Sequence, residues 1–182
     1  MKICVYGSSS PELDQIFYDE AFKLGREMAL RGHSLIFGGG EKGLMGACVR
    51  GIESAGGKSL GVAPRFFDRP GILHQGCDEF IFTDDMSERK NIMEREADAF
   101  IAVPGGIGTF EELLQALTLN QLRQMDKPIA ILNTDGYYDA LNALIEQSIE
   151  RRFAGYTLRE KYGIFHDTEE LLSYLEAKHK ER

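Results

Sequence analysis

The sequence predicts an α/β fold, a doubly wound parallel sheet in three α/β/α layers, and three observations predict it. Short apolar runs alternate with amphipathic helical stretches along the whole chain. Three of the runs stop at loops rich in glycine or serine, at 7–10, 38–46 and 104–108, and a helical pattern follows each. With 182 residues and 43% hydrophobic content, the chain can bury a substantial core as a single domain, 1–182.

The first strand is expected at 2–6 and runs into Gly7-Ser8-Ser9-Ser10-Pro11, where hydroxyls such as that of Ser8 can bond a ligand or cap the next helix. Ile16, Phe17, Ala21, Leu24, Met28 and Ala29 then recur at helical spacing, and Gly32 supplies the stop. A second strand at 34–37 leads into GGGEKGLMG at 38–46 and a helix through about Ser54. Gly38, Gly40 and Gly43 satisfy the spacing G-x-G-x-x-G of dinucleotide sites. That fingerprint also requires an acidic residue at the end of the next strand to hold a ribose. The strand expected at 59–63 ends instead in Pro64-Arg65, so NAD is discounted. These glycines serve equally well to bring helix and strand together or to admit a phosphate.

Residues 64–77 read as an irregular loop, with Phe66 and Phe67 expected in the core or a lid. After a fourth strand at 79–83, Asp85-x-x-Glu88 forms a capping pair that opens a helix carrying Arg89 and Lys90 one turn in. The fifth strand, 99–103, passes into AVPGGIGTFEE at 102–112, the stretch around which the chain is organised. Its glycines let a ligand approach the backbone, and Thr109 with Glu112 is expected to form a Thr-x-x-Glu capping box. A helix starting directly after such a turn aims free N–H groups and a positive dipole end into it, which suits a phosphate. A sixth strand at 128–132, a helix at 137–153 with Leu141, Leu144, Ile145 and Ile149 on one face, a short strand at 163–165 and a last helix capped by Asp167 complete the series. The charged tail 178–182 reads as a solvated helix end.

Composition removes several functions. The formal charge of −8 opposes a nucleic-acid-binding face, which needs clustered cations. Cys4, Cys48 and Cys77 form no C-x-x-C, so neither a disulfide framework nor a zinc site is expected, and buried free thiols are the plain reading for Cys4 and Cys48. His33, His74, His166 and His179 lack metal-ligand spacing. No stretch suits a bilayer and no signal-peptide pattern opens the chain, so membrane association is not expected and a cytoplasmic location is.

Ligands of doubly wound sheets bind outside the carboxyl ends of the strands, where the glycine loops and the Arg89 helix emerge. A phosphate held there would place a ribose and its glycosidic bond near Arg89 and Glu112. A carboxylate can stabilise an oxocarbenium-like state and orient or deprotonate water, and a guanidinium is a fixed donor. Plainer roles compete. Glu112 occupies a capping position, and Arg89 and Lys90 could pair with Glu88, Glu94 and Glu96 on a solvated face. Taken alone, the residues support a nucleotide-binding α/β domain and leave the reaction open.

The motifs also carry a family resemblance. PGGIGTFEE at 104–112 fits the pattern PGGxGTxxE, and SERK at 87–90, just after Asp85-Met86, resembles the Arg-Lys motif that precedes it in the LOG family, the cytokinin riboside 5′-monophosphate phosphoribohydrolases long labelled as lysine decarboxylases. GGGEKGLMG and VYGSSS resemble the same family, so the likeness runs from Lys2 to about Tyr138. It implies a Rossmann-like homodimer that needs no cofactor and cleaves AMP or an N6-substituted AMP into free base and ribose 5-phosphate. By position, Arg89 and Glu112 match the catalytic pair. Lys90, Gly106, Gly108 and Thr109 match substrate contacts, which Gly105, Ile107 and Glu111 adjoin, and Gly40, Gly43, Met45 and Ser8 from the two earlier loops complete the expected substrate-binding set. The lysine decarboxylase label has no legible support, since no Schiff-base lysine with a pyridinium partner is discernible. A nucleotide sensor or carrier that binds without cleaving is the main alternative. An oxidoreductase rests only on Gly38 to Gly43.

Overall fold

Inner strands that are apolar on both faces must be covered on both faces, and that requirement builds the molecule. The computed structural model describes residues 1–182. The strands are β1 (Lys2–Tyr6), β2 (Ser34–Phe37), β3 (Ser59–Pro64), β4 (Glu79–Thr83), β5 (Ala99–Ala102), β6 (Ile129–Leu132) and β7 (Gly163–Phe165). The helices are α1 (Gln15–Leu30), α2 (Gly43–Ser54), α3 (Met86–Glu96), α4 (Ile107–Gln121), α5 (Asp139–Glu150) and α6 (Thr168–Lys180). All seven strands pair in parallel in the order β4-β3-β2-β1-β5-β6-β7.

Side chains along a strand alternate between faces, so one strand feeds two cores. Ile3, Val5, Leu35, Phe37, Ile101 and Leu132 pack beneath α1, α2 and α6. Cys4, Tyr6, Ile36, Val62, Phe100 and Ile131 pack beneath α3, α4 and α5. The expected three-layer architecture is thus present, and Cys4 and Cys48 are buried free thiols. No helix is long and apolar enough to cross a membrane.

Chain order reverses between β1 and β5, which pair from Ile3↔Ala99 to Tyr6↔Ala102. The loops leaving these two strands diverge to opposite layers, toward α1 and α4, and open a crevice between them.

Most expected elements lie within a residue or two of their observed bounds, and Asp85 and Asp167 cap their helices as the spacing predicts. Asp85 Oδ1 accepts from the Glu88 N–H at 2.8 Å, and Asp167 Oδ1 accepts from those of Glu169 and Glu170. The capping box at Thr109 and Glu112 does not form. Gly106, in extended conformation, is the N-cap of α4, and its carbonyl accepts the first helical bond from Phe110. The glycine turn tightens into the helix earlier than the threonine signal suggests. Thr109 therefore lies inside the first turn, and Glu112 faces another partner. Phe66 and Phe67 sit on a 3₁₀ turn, about half exposed, outside both cores.

Candidate active site

A cavity of about 650 Å³ occupies the crevice. Its walls come from the loop after β1, the turn between β2 and α2, the segment after β3, the start of α3 and the start of α4. Backbone hydrogen bonds hold these pieces in register. The Ser8 N–H donates to the Pro104 carbonyl at 3.0 Å, the Val103 N–H to that of Tyr6 at 2.9 Å, and the Leu44 N–H to that of Ser8 at 2.8 Å. From behind, the Tyr137 hydroxyl donates to the Gly105 carbonyl at 2.6 Å and the Tyr138 hydroxyl to that of Val103 at 2.8 Å. The turn before α4 is fixed before any ligand arrives.

Arg89 and Glu112 meet at the edge of this cavity. Arg89, on α3, is 9% exposed. Its Nε donates to the Val62 carbonyl at 3.1 Å and its Nη1 to Glu112 Oε1, on α4, at 2.7 Å. Burial raises the Glu112 carboxyl above the ordinary glutamate range, and the Arg89 charge opposes that rise. The outcome is a desolvated carboxylate held by one guanidinium, a better proton acceptor than a solvated one. Space for that guanidinium exists only because residue 38 is glycine: a Cβ there would lie 2.3 Å from Arg89 Nη2. Gly43 is required by a different constraint. Its φ is +62°, and a Cβ would fall 2.4 Å from the Ser8 carbonyl oxygen.

Beside the pair, the first turn of α4 presents Gly106, Gly108 and Thr109 to the cavity, and a Cβ on either glycine would meet nothing within 4 Å. The leading N–H groups of a helix have no partner within it, so this is a ready anion seat. The loop residues Ser8, Ser9 and Ser10 line the same space, as do Gly40, Lys42 and Met45. The apolar part of the lining includes Phe67, Ile72, Leu73 and Met86.

Of the expected site residues, Arg89, Glu112, Gly106, Gly108, Thr109, Gly40, Met45 and Ser8 line the cavity together. The other five do not. Lys90 turns away to pair with Glu111 and donates to Gln115 Oε1 at 2.7 Å, joining α3 to α4. Ile107 is 82% exposed. Gly105 supplies the carbonyl braced by Tyr137, and Gly43 packs on the Ser8 backbone. Four cavity residues had no sequence signal: Gly71, Ile72 and Leu73 lie in the irregular stretch, and Lys42 is one charge in a glycine loop, while Phe67, expected in the core or a lid, lines the cavity. Met86 adjoins the Arg-Lys motif, which was the one available hint.

No group of three His, Cys, Asp or Glu side chains is placed to hold a metal ion. His33 Nε2 pairs with Glu176 at 2.9 Å, and His74 lies between Glu41 and Glu53.

Comparison with known proteins yields one consistent family. Residues 45–175 match the family described as "Possible lysine decarboxylase". A probable cytokinin riboside 5′-monophosphate phosphoribohydrolase of Oryza sativa subsp. japonica is 43% identical over 152 residues, covering 84% of this chain and 68% of the relative. A cytokinin riboside 5′-monophosphate phosphoribohydrolase of Arabidopsis thaliana is 37% identical over 175 residues, covering 96% of this chain and 82% of its own length. Among solved structures, the molybdenum cofactor carrier protein of Chlamydomonas reinhardtii superimposes with a TM-score of 0.75 at 23% identity, over 100% of this chain and 98% of that one. That likeness is one of fold alone.

Proposed function

This chain belongs to the LOG family, and from that membership we propose that it hydrolyses the N-glycosidic bond of a nucleoside 5′-monophosphate, AMP or an N6-substituted AMP, releasing free base and ribose 5-phosphate. The observation that carries the reading to this chain's own residues is the buried Arg89–Glu112 pair, at 2.7 Å, beside an open glycine turn at a helix N-terminus.

The 5′-phosphate is taken by the N–H groups of α4 at Gly106, Gly108 and Thr109, with Ser8, Gly40 and Met45 completing the wall. The sugar then lies over Glu112, and the base points toward Phe67, Ile72 and Met86. As the bond from C1′ to the base nitrogen lengthens, positive charge develops on the ribose ring, and the Glu112 carboxylate stabilises it. Water attacks C1′ as Glu112 draws off one of its protons. The oxygen becomes the C1′ hydroxyl, the departing base takes a proton from solvent, and Glu112 gives the proton it drew off back to solvent, so atoms and charge balance. Arg89 holds the carboxylate in place and keeps it ionised, a fixed donor rather than an acid. Every group this scheme uses is supplied by the chain, and no cofactor is called for. Lys90 with Glu111, and the carbonyl of Gly105, act by holding α3, α4 and the turn in position.

One feature supports self-association as a homodimer. Ile107 and Leu114 on α4 and Leu122 at its C-cap are exposed at the spacing of one helix face. Sedimentation at micromolar concentration should show a dimer, and a monomer would remove this part of the proposal. Incubating the folded protein with AMP and with N6-isopentenyl-AMP and measuring released base tests the reaction itself. Release from either is expected, and release from neither overturns the reading.

A further inference from the structure

One cluster of titratable side chains lies outside the reaction scheme. His74 belongs to the stretch between β3 and β4 that supplies Phe67, Ile72 and Leu73 to the cavity wall. Its Nδ1 is 2.5 Å from Glu41 Oε2, in the turn after β2, and its Nε2 is 2.5 Å from Glu53 Oε1, on α2. A neutral imidazole has one N–H and would set its other nitrogen's lone pair against a carboxylate oxygen. Only the imidazolium donates on both sides. The ring is 10% exposed, the two carboxylates just over a third.

The backbone around it continues the same attachment. The His74 N–H donates to the Gly39 carbonyl at 2.8 Å, the Glu41 N–H donates to that of Ile72 at 2.9 Å, and Gly40 bridges Leu73. Nothing else fastens residues 71–74 to the glycine turn with charge. The other polar groups around the ring are Arg50 on α2, whose Nη1 donates to the Glu41 carbonyl at 3.1 Å, and the Cys77 thiol, which donates to the His74 carbonyl at 3.7 Å.

Resting on the hydrolase reading above, we propose that His74 is a positioning residue for substrate: as an imidazolium clamped between Glu41 and Glu53, it holds the Phe67–Leu73 wall against the cavity and so sets affinity for the base end of the nucleotide. Burial pulls the imidazole down, but its hydrogen bonds and charge interactions with Glu53 and Glu41 outweigh that and leave it above the ordinary histidine value. A group raised in this way keeps its clamp at low pH and loses it as pH rises through the raised value.

The test measures kcat and KM on N6-isopentenyl-AMP from pH 6 to 9, with amide exchange of residues 66–77 in the free protein. For the natural chain, KM should rise about tenfold toward alkaline pH, the order expected for losing a charge-assisted hydrogen bond in a part-exposed setting, with kcat little changed. His74→Gln should show the high KM throughout, and His74→Arg, a permanent cation with donors on two sides, should keep the low KM at high pH. Amide exchange should follow the same pattern. Glu53→Gln, which leaves the histidine in place, should move the KM transition to lower pH. A KM in His74→Gln equal to that of the natural chain at pH 6, or a pH profile in His74→Arg that still tracks the natural one, overturns the clamp. Absence of turnover in every variant would overturn the hydrolase reading instead, and amide exchange would still decide the clamp.

Discussion

Replacing Gly38 with alanine should disable the site through one contact. Residue 38 lies outside the left-handed region, so alanine brings no backbone strain there, and the added Cβ meets only Arg89, at 2.3 Å from Nη2 and 3.4 Å from Cζ. Ordinary carbon–nitrogen contact needs about 3.4 Å, so the guanidinium must retreat by roughly 1 Å. Its Nη1 sits 2.7 Å from Glu112 Oε1, and the same displacement takes that bond past hydrogen-bonding range. A misplacement of that size in a catalytic constellation costs about a hundredfold in kcat/KM, close to 2.7 kcal/mol of barrier. Weakening one buried charged hydrogen bond costs the fold about 1–3 kcal/mol, a fall in Tm of roughly 2–12 °C. The assay is base release from a nucleoside monophosphate at matched folded concentration, run as a double-mutant cycle with Arg89→Ala. Gly38→Ala should add little once Arg89 is gone. Activity in folded Gly38→Ala within about threefold of the natural chain, or a full second hundredfold loss on top of Arg89→Ala, would refute the reasoning.

Glu112→Gln retains shape and an acceptor for Arg89 but removes the negative charge, so kcat should fall about a thousandfold while calorimetry shows AMP still bound. Its Tm should stay within about 4 °C, because Glu112 caps nothing; a large loss of Tm with turnover preserved would restore the capping role. Since burial raises the Glu112 carboxyl and activity needs it ionised, kcat/KM should fall as pH drops through a value above the ordinary glutamate range. In Arg89→Gln, which removes the opposing charge, that acid limb of the profile should move to still higher pH. Two glycine substitutions should separate folding from binding. Gly43→Ala, at φ +62° and against the Ser8 carbonyl, should cost about 2–4 kcal/mol of stability. Gly106→Ala, with open space around its Cβ, should leave Tm unchanged and raise KM.

The strand and helix series was readable because its signals are local. Runs such as Ala99–Ala102 and Ile129–Leu132 are apolar at every position, which suits a strand covered on both faces, and the helices carry their own periodicity and caps. The motif at 104–112 likewise announced a turn followed by a helix, because glycine and the residue types around it constrain the backbone within a few positions. Misreadings arose where two local rules competed. Thr109 and Glu112 satisfied the spacing of a capping box, yet the helix starts at Ile107, since extended Gly106 caps it and the buried Arg89 supplies a stronger partner for the carboxylate.

By itself, the sequence determined the layered parallel architecture, the glycine turn that can seat an anion, and the residue types able to stabilise a cationic sugar. Only the tertiary structure decided which side chains share the cavity. Arg89 and Lys90 are neighbours in sequence, but successive residues on a helix point about 100° apart. Arg89 therefore enters the crevice to meet Glu112, while Lys90 meets Glu111 and Gln115 outside it. The apolar wall of Phe67, Ile72 and Leu73, and the His74 contacts behind it, were illegible for a related reason. Irregular chain has no period to read, and its place is set by partners distant in sequence that come near only when the sheet has formed.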